Sequence, residues 1–138
     1  MDEKDRINYA KSELKNLRYL QRVVLGFNNK LDEINNQLIG VSGINPSRES
    51  SGGSSGNGNS DARYLALLDK KQRIIIDRAP FAARVTKIIS FLDGLPIDDR
   101  KIVTDVYIKG YTIESVSIWL YCSERTVKYR IDRILYEF

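Results

Sequence analysis

Apolar side chains recur along the first forty residues at Ile7, Ala10, Leu14, Leu17, Leu20, Val24, Phe27, Leu31, Ile34 and Leu38. From Leu17 onward the intervals alternate three and four, which is the seam of a heptad repeat. Two consecutive threes, at Leu14, Leu17 and Leu20, shift the register once. The pattern predicts one helix of roughly 35 residues, about 50 Å long at the usual rise per residue. Gly26 lies inside it at some cost in propensity.

The pattern then stops. "GVSGINPSRESSGGSSGNGNSD" holds six of the nine glycines, and such a segment cannot bury enough apolar surface to offset its ordering entropy, so a flexible linker is expected over residues 41–60. A random coil of that length spans on the order of 25 Å. This permits an antiparallel hairpin within one chain and, equally, an exchange of helices between two chains.

A second long helix is predicted from an N-cap at Ser60 or Asp61 to about Asp93, where Gly94 and Pro96 stop it. Tyr64, Leu68, Ile75, Ala82, Val85, Ile89 and Leu92 supply an apolar stripe, interrupted by Lys71 and Arg78. Pro80 should kink or break the helix. Residues 1–94 thus read as a coiled-coil-like helical hairpin, with dimerisation as its expected use because a lone helical pair leaves apolar edge exposed.

Beyond Pro96 the period changes again, and residues 97–138 divide into three shorter helices. Ile97, Ile102, Val103, Val106 and Tyr107 make the apolar face of the first, which Gly110 ends. Thr112 is placed to cap the second, "IESVSIWL", with Val116 and Leu120 inward and Trp119 beside them. "YC" turns, Ser123 caps the third, and Val127, Ile131, Ile134 and Phe138 form its buried stripe. Cys122 is expected in the core of the turn. The fold class is all-α throughout.

Composition narrows the chemistry. The 138 residues contain no histidine and one cysteine, Cys122, so an internal disulfide is excluded, a zinc site has too few ligands and the commonest general base is missing. There is no glycine-rich phosphate loop and no nucleophile motif. No enzyme, catalytic residue, metal or cofactor is therefore expected. No apolar run approaches the roughly 20 residues of a membrane span, and the charged N-terminus lacks a secretory signal. A cytoplasmic protein is expected.

The net charge is +4, and it is concentrated in residues 61–95, which carry seven basic and four acidic side chains. Lys70, Lys71, Arg73, Arg78, Arg84 and Lys87 are read there as a solvated face rather than as phosphate contacts. Residues 96–138 are neutral, with seven of each sign. Any case for nucleic acid there rests on placement.

Placement does point that way. A short helix, a tight turn, an N-cap and a longer helix follow the helix-turn-helix order. The face of the last helix not used for packing carries Glu124, Arg125, Lys128 and Tyr129, with Arg133 further along. Arg or Lys at that position can donate to guanine acceptors, and a carboxylate can accept from a cytosine amine. The helix starts at Thr112 and Ser123 can hold phosphates with Lys109, while Arg130 and Arg133 mainly grip the backbone. The alternative is a packing helix whose basic residues are merely solvated.

"SERTVKYRIDRIL" resembles the recognition helix of region four of extracytoplasmic-function sigma factors, in which a Ser-Glu-x-Thr-Val-Lys-x-Arg-Leu-x-Arg pattern recurs. "DDRKIVTDVYIKGYTIESVSIWL" is similar to the helices before it. The match covers about forty residues and extends to response-regulator output domains. This chain has Tyr121 where the turn usually has Gly, which implies strain, and Ser117 where the short helix usually has Ala. With a helical extension in place of the remaining sigma-factor domains, the whole chain resembles the phage ArpU/RinA group of small transcriptional regulators.

That resemblance implies a DNA-binding regulator of late phage genes; a nucleoid-associated homodimer formed through the helical hairpin is expected on double-stranded DNA, with RNA polymerase as a further candidate partner. Two other functions suit the same elements. One is a small terminase subunit for DNA packaging; the other is a protein-binding module that grips polymerase or a host factor.

Overall fold

A computed structural model describes residues 2–42 and 57–138, and the described residues are almost wholly helical. Six α-helices follow one another: α1 (Glu3–Lys15), α2 (Leu17–Ser42), α3 (Asn57–Asp93), α4 (Ile97–Val103), α5 (Ile113–Leu120) and α6 (Glu124–Tyr136). A π-helical turn, Thr104–Ile108, continues α4. None of these helices is long and apolar enough to cross a membrane.

The expected first helix is present but interrupted at Asn16. There the backbone N–H is shared between the carbonyls of Ser12 and Glu13 at 3.1 and 3.2 Å. The interruption falls where the apolar intervals run three and three, because two short steps carry the stripe ahead of the helical period and the chain adjusts locally. Asp2 caps α1, its carboxylate accepting from the Asp5 N–H at 2.8 Å.

The α3 expectations need correction in three respects. The helix begins at Asn57, so Ser60 and Asp61 lie within it rather than capping it. Pro80 lies inside a continuous helix, so the chain does not break there, although the missing N–H removes a ladder bond. The inward stripe is also displaced from the one anticipated. Leu67, Lys71, Ile74, Arg78, Phe81, Val85, Ile88 and Leu92 are buried or half-buried, whereas Tyr64, Leu68, Ile75 and Ile89 are exposed. The seam accepts Lys71 and Arg78 because long basic side chains can bury their stems and keep their heads polar. Of the linker expected over 41–60, residues 41, 42 and 57–60 are helical; the remainder lies outside the described residues.

The described residues form two compact units, Met1–Gln21 with Ala83–Phe138, and Arg22–Ala82. In the second unit, Phe27 and Phe81 meet in a tilted pair with ring centroids 6.0 Å apart, and Arg78 Nε donates to Asn28 Oδ1 at 2.8 Å. These contacts pair the two long helices. Ile34 and Leu67 are its buried apolar side chains, while Leu25, Leu65, Leu68, Ile75 and Ile76 stay exposed.

The first unit holds most of the core. Its buried apolar side chains are Ile7, Ala10, Leu14, Leu17 and Leu20, then Ile88, Leu92, Ile102, Val103 and Val116, and the α6 stripe Val127, Ile131, Ile134 and Leu135, with α1 packed on α6 and on the π-helical turn. At roughly 1.5–3 kcal/mol per buried aliphatic side chain, this shared core joins the N-terminal helix to the C-terminal helices. Leu135 takes the place expected of Phe138, which is half-buried against Phe91 at 5.0 Å and Tyr9 at 6.1 Å. Ile97, expected on the inner face of α4, is 85% exposed, because the first residue of a helix that begins right after Pro96 projects beyond the core.

Candidate nucleic-acid interface

Two left-handed residues shape the end of the chain. Gly110, φ 80°, closes the π-helical turn, and the Tyr111 N–H reaches back to the Asp105 carbonyl at 2.8 Å. Tyr121, φ 57° and ψ 41°, closes α5. Its N–H bonds to the Ile118 carbonyl at 3.3 Å, and the Cys122 N–H bonds to that of Ser117 at 3.2 Å. This pair of bonds is the Schellman arrangement, which satisfies carbonyls that a helix end would leave unpaired. Forming it with an aromatic residue costs about 1–2 kcal/mol relative to glycine. The strain anticipated at Tyr121 is therefore present, while Cys122 is half-buried rather than in the core.

Both expected N-caps form. Thr112 Oγ1 accepts from the Ser115 N–H at 3.1 Å, and Ser123 Oγ accepts from the Thr126 N–H, also at 3.1 Å. Each cap contributes about 1 kcal/mol to its helix. Ser123 Oγ also lies 2.9 Å from Thr126 Oγ1.

The buried stripe of α6 turns the opposite face outward. Glu124, Arg125, Thr126, Lys128, Tyr129 and Arg133 are all exposed. Arg125 and Lys128 make no side-chain hydrogen bond or ion pair with the described residues. Their charges are free at the N-terminal half of the helix, where the dipole is positive and an anion is favoured.

The C-terminal half of that face is shared with α1. Lys11 Nζ pairs with Asp132 at 3.2 Å, and the Arg6 guanidinium lies 4.7 Å from the centre of the Tyr136 ring. Between the helices runs an open groove of about 660 Å³, whose walls include Asp2, Glu3, Lys4, Tyr129 and Arg133. Arg133 thus shares this groove with the carboxylates of Asp2 and Glu3. The α1 side of this groove, Lys4 and Asn8 included, was not anticipated, since nothing in the local pattern of α1 signals its packing on α6.

The other site residues divide by what holds them. Arg130 is engaged: its Nε and Nη2 donate to Asp99 Oδ1 at 3.0 and 2.7 Å, tying α6 to the first turn of α4. Lys109 and Lys101 flank the buried Asp105 carboxylate, each with Nζ at 3.7 Å. That exceeds hydrogen-bond length, so the half-exposed Lys109 ammonium keeps its donors for another partner. Lys101 also lies 4.9 Å above the half-buried Trp119 ring. No family model, curated protein or solved structure matches this chain.

Proposed function

We propose that this chain is a sequence-specific DNA-binding transcriptional regulator that places α6 in the major groove. The observation that carries the reading is the pairing of a capped, well-buried helix with an outward N-terminal face whose Arg125 and Lys128 have no side-chain partner among the described residues. Glu124, Arg125, Lys128 and Tyr129 are assigned to base edges; Thr112, Ser123 and Lys109 to the backbone. Because α1 lies against the far half of α6, entry is by the helix N-terminus, the end from which such helices read bases.

The sigma-region-four-like character of α5 and α6, and a role as a phage late-gene regulator, belong to the same proposal and rest on the sequence resemblance. Homodimerisation is supported by Leu65, Leu68, Ile75 and Ile76, an exposed apolar strip along α3 of the kind that marks an interaction surface.

The test is a pull-down of sheared genomic DNA at roughly physiological salt, sequenced, with an Arg125→Ala/Lys128→Ala protein in parallel. Enrichment of one intergenic site that the double variant loses supports regulation. Equal recovery by both proteins refutes the reading of α6. Light scattering on the same sample separates a dimer from the large ring of a packaging subunit.

A further inference from the structure

Tyr121 occupies a position that its own fold does not explain. It is the one non-glycine residue with positive φ among the described residues, and the residue is 95% exposed. No packing offsets the backbone strain. A turn needed only to join α5 to α6 is better served by glycine, the residue found at the other left-handed position, Gly110. Strain that the surrounding structure does not repay is a recognised mark of a functional position.

Its neighbours indicate what the ring meets. Ile118, one turn earlier on α5, is 68% exposed and is joined to Tyr121 through the backbone bond already described. Two residues later Ser123 opens α6, so the Tyr121 Cα lies within about 7 Å of the cap. Tyr121 is therefore a near neighbour along the chain of the helix start that carries Glu124 and Arg125. A phenol suits the rim of a DNA groove, because its hydroxyl can donate to a phosphate oxygen and its ring can cover a sugar.

We propose that Tyr121 is a positioning residue of the DNA interface, its hydroxyl bonded to a phosphate beside the groove that α6 enters and its ring, with Ile118, against the adjoining deoxyribose. This inference rests on the DNA-binding reading of α6. The contact is uncharged and displaces no counterion, so it adds affinity without adding to the salt dependence. A backbone contact of this kind is independent of sequence and acts on any duplex.

The experiment compares the full chain with Tyr121→Gly, Tyr121→Phe and Arg125→Ala/Lys128→Ala. Each protein is titrated against a labelled random-sequence duplex over a range of salt and unfolded in urea. Tyr121→Gly should raise the unfolding midpoint while weakening binding about tenfold, equivalent to 1.4 kcal/mol, at an unchanged salt slope. Tyr121→Phe should lose the hydroxyl's share of that affinity. Wild-type affinity in Tyr121→Gly, with the double variant weakened, overturns the proposal and leaves the edge to a protein partner. If the wild type itself binds no duplex in a salt-dependent way, the reading of α6 fails and the Tyr121 contact fails with it. Should Tyr121→Gly lower the midpoint, Tyr121→Phe decides the matter alone, with undiminished affinity counting against the contact.

Discussion

The guanidinium of Arg84 on α3 grips the carboxylate of Glu13 on α1, Nη2 to Oε1 at 2.8 Å and Nε to Oε2 at 3.1 Å. The two residues stand 71 positions apart in the chain. Glu13 is buried with only 8% of its side chain exposed, while Arg84 retains contact with water at 40%. Hydrogen bonding to Glu13 holds the Arg84 pKa above its already high ordinary value, against the opposing effect of desolvation.

This asymmetry of burial yields a directional prediction. Arg84→Ala leaves a buried carboxylate unpartnered and should destabilise the fold by about 2 kcal/mol, in the range for a hydrogen bond to a charged group. Glu13→Ala leaves a guanidinium that can turn to water and should cost less. The variants' urea midpoints check the order, and equal losses contradict it.

Tyr107 gives the fold a pH dependence of known sign. Its pKa is pushed up to about 12, first by burial and then by the nearby Asp132 carboxylate; Lys15 Nζ stands 6.0 Å from its ring centre. Because the folded pKa is raised, the neutral phenol is favoured in the native state. The stability this confers is fully present below pH 10 and is lost as the pH rises to about 12. Allowing for solvent screening of a half-buried group, the loss is about 1 kcal/mol. Subtracting the urea midpoints of Tyr107→Phe from those of the wild type removes the other tyrosines and the lysines, and the difference should decline only in that window.

What the sequence disclosed follows from the range of the interactions involved. The caps at Thr112 and Ser123, the stop at Gly110 and the α6 stripe through Val127, Ile131 and Ile134 depend on neighbours within a turn or two, and each appears as read. The α3 register depends on a distant helix. An apolar-only stripe passes over Lys71 and Arg78, yet Arg78 belongs in the seam because Asn28 supplies its partner. Arg130 shows the same limit within the candidate interface: spacing places it near the outward face of α6, but Asp99, 31 residues earlier, captures it. The packing of α1 on α6 leaves no local trace in either helix.

Arg130 and Arg125 should consequently separate stability from binding. Arg130→Ala breaks the link to Asp99 and should cost about 1–2 kcal/mol of fold stability, with Asp99→Asn reproducing part of the loss. Arg125→Ala removes an exposed side chain with no partner among the described residues and should leave the unfolding stability within about 0.5 kcal/mol of wild type. In DNA titrations the order reverses: Arg125→Ala should weaken a selected site by about 1–3 kcal/mol and relax one base position. Equal losses on selected and random duplexes would contradict a base contact for Arg125.

Lys109 has a different signature because its charge is only loosely held by Asp105, at 3.7 Å. If its ammonium neutralises a phosphate, Lys109→Ala should lower affinity similarly on selected and random duplexes and reduce the slope of log K against log salt by about one unit. The substitution also leaves Asp105 with Lys101 as its remaining ion-pair partner, so a small fall in the unfolding midpoint should accompany it. Lys101→Ala serves as the comparison, since it loosens Asp105 in the same way and removes a charge that lies over the Trp119 ring. A reduced salt slope in Lys109→Ala with an unchanged slope in Lys101→Ala assigns the phosphate contact to Lys109. Equal slopes in both variants and the wild type remove Lys109 from the interface.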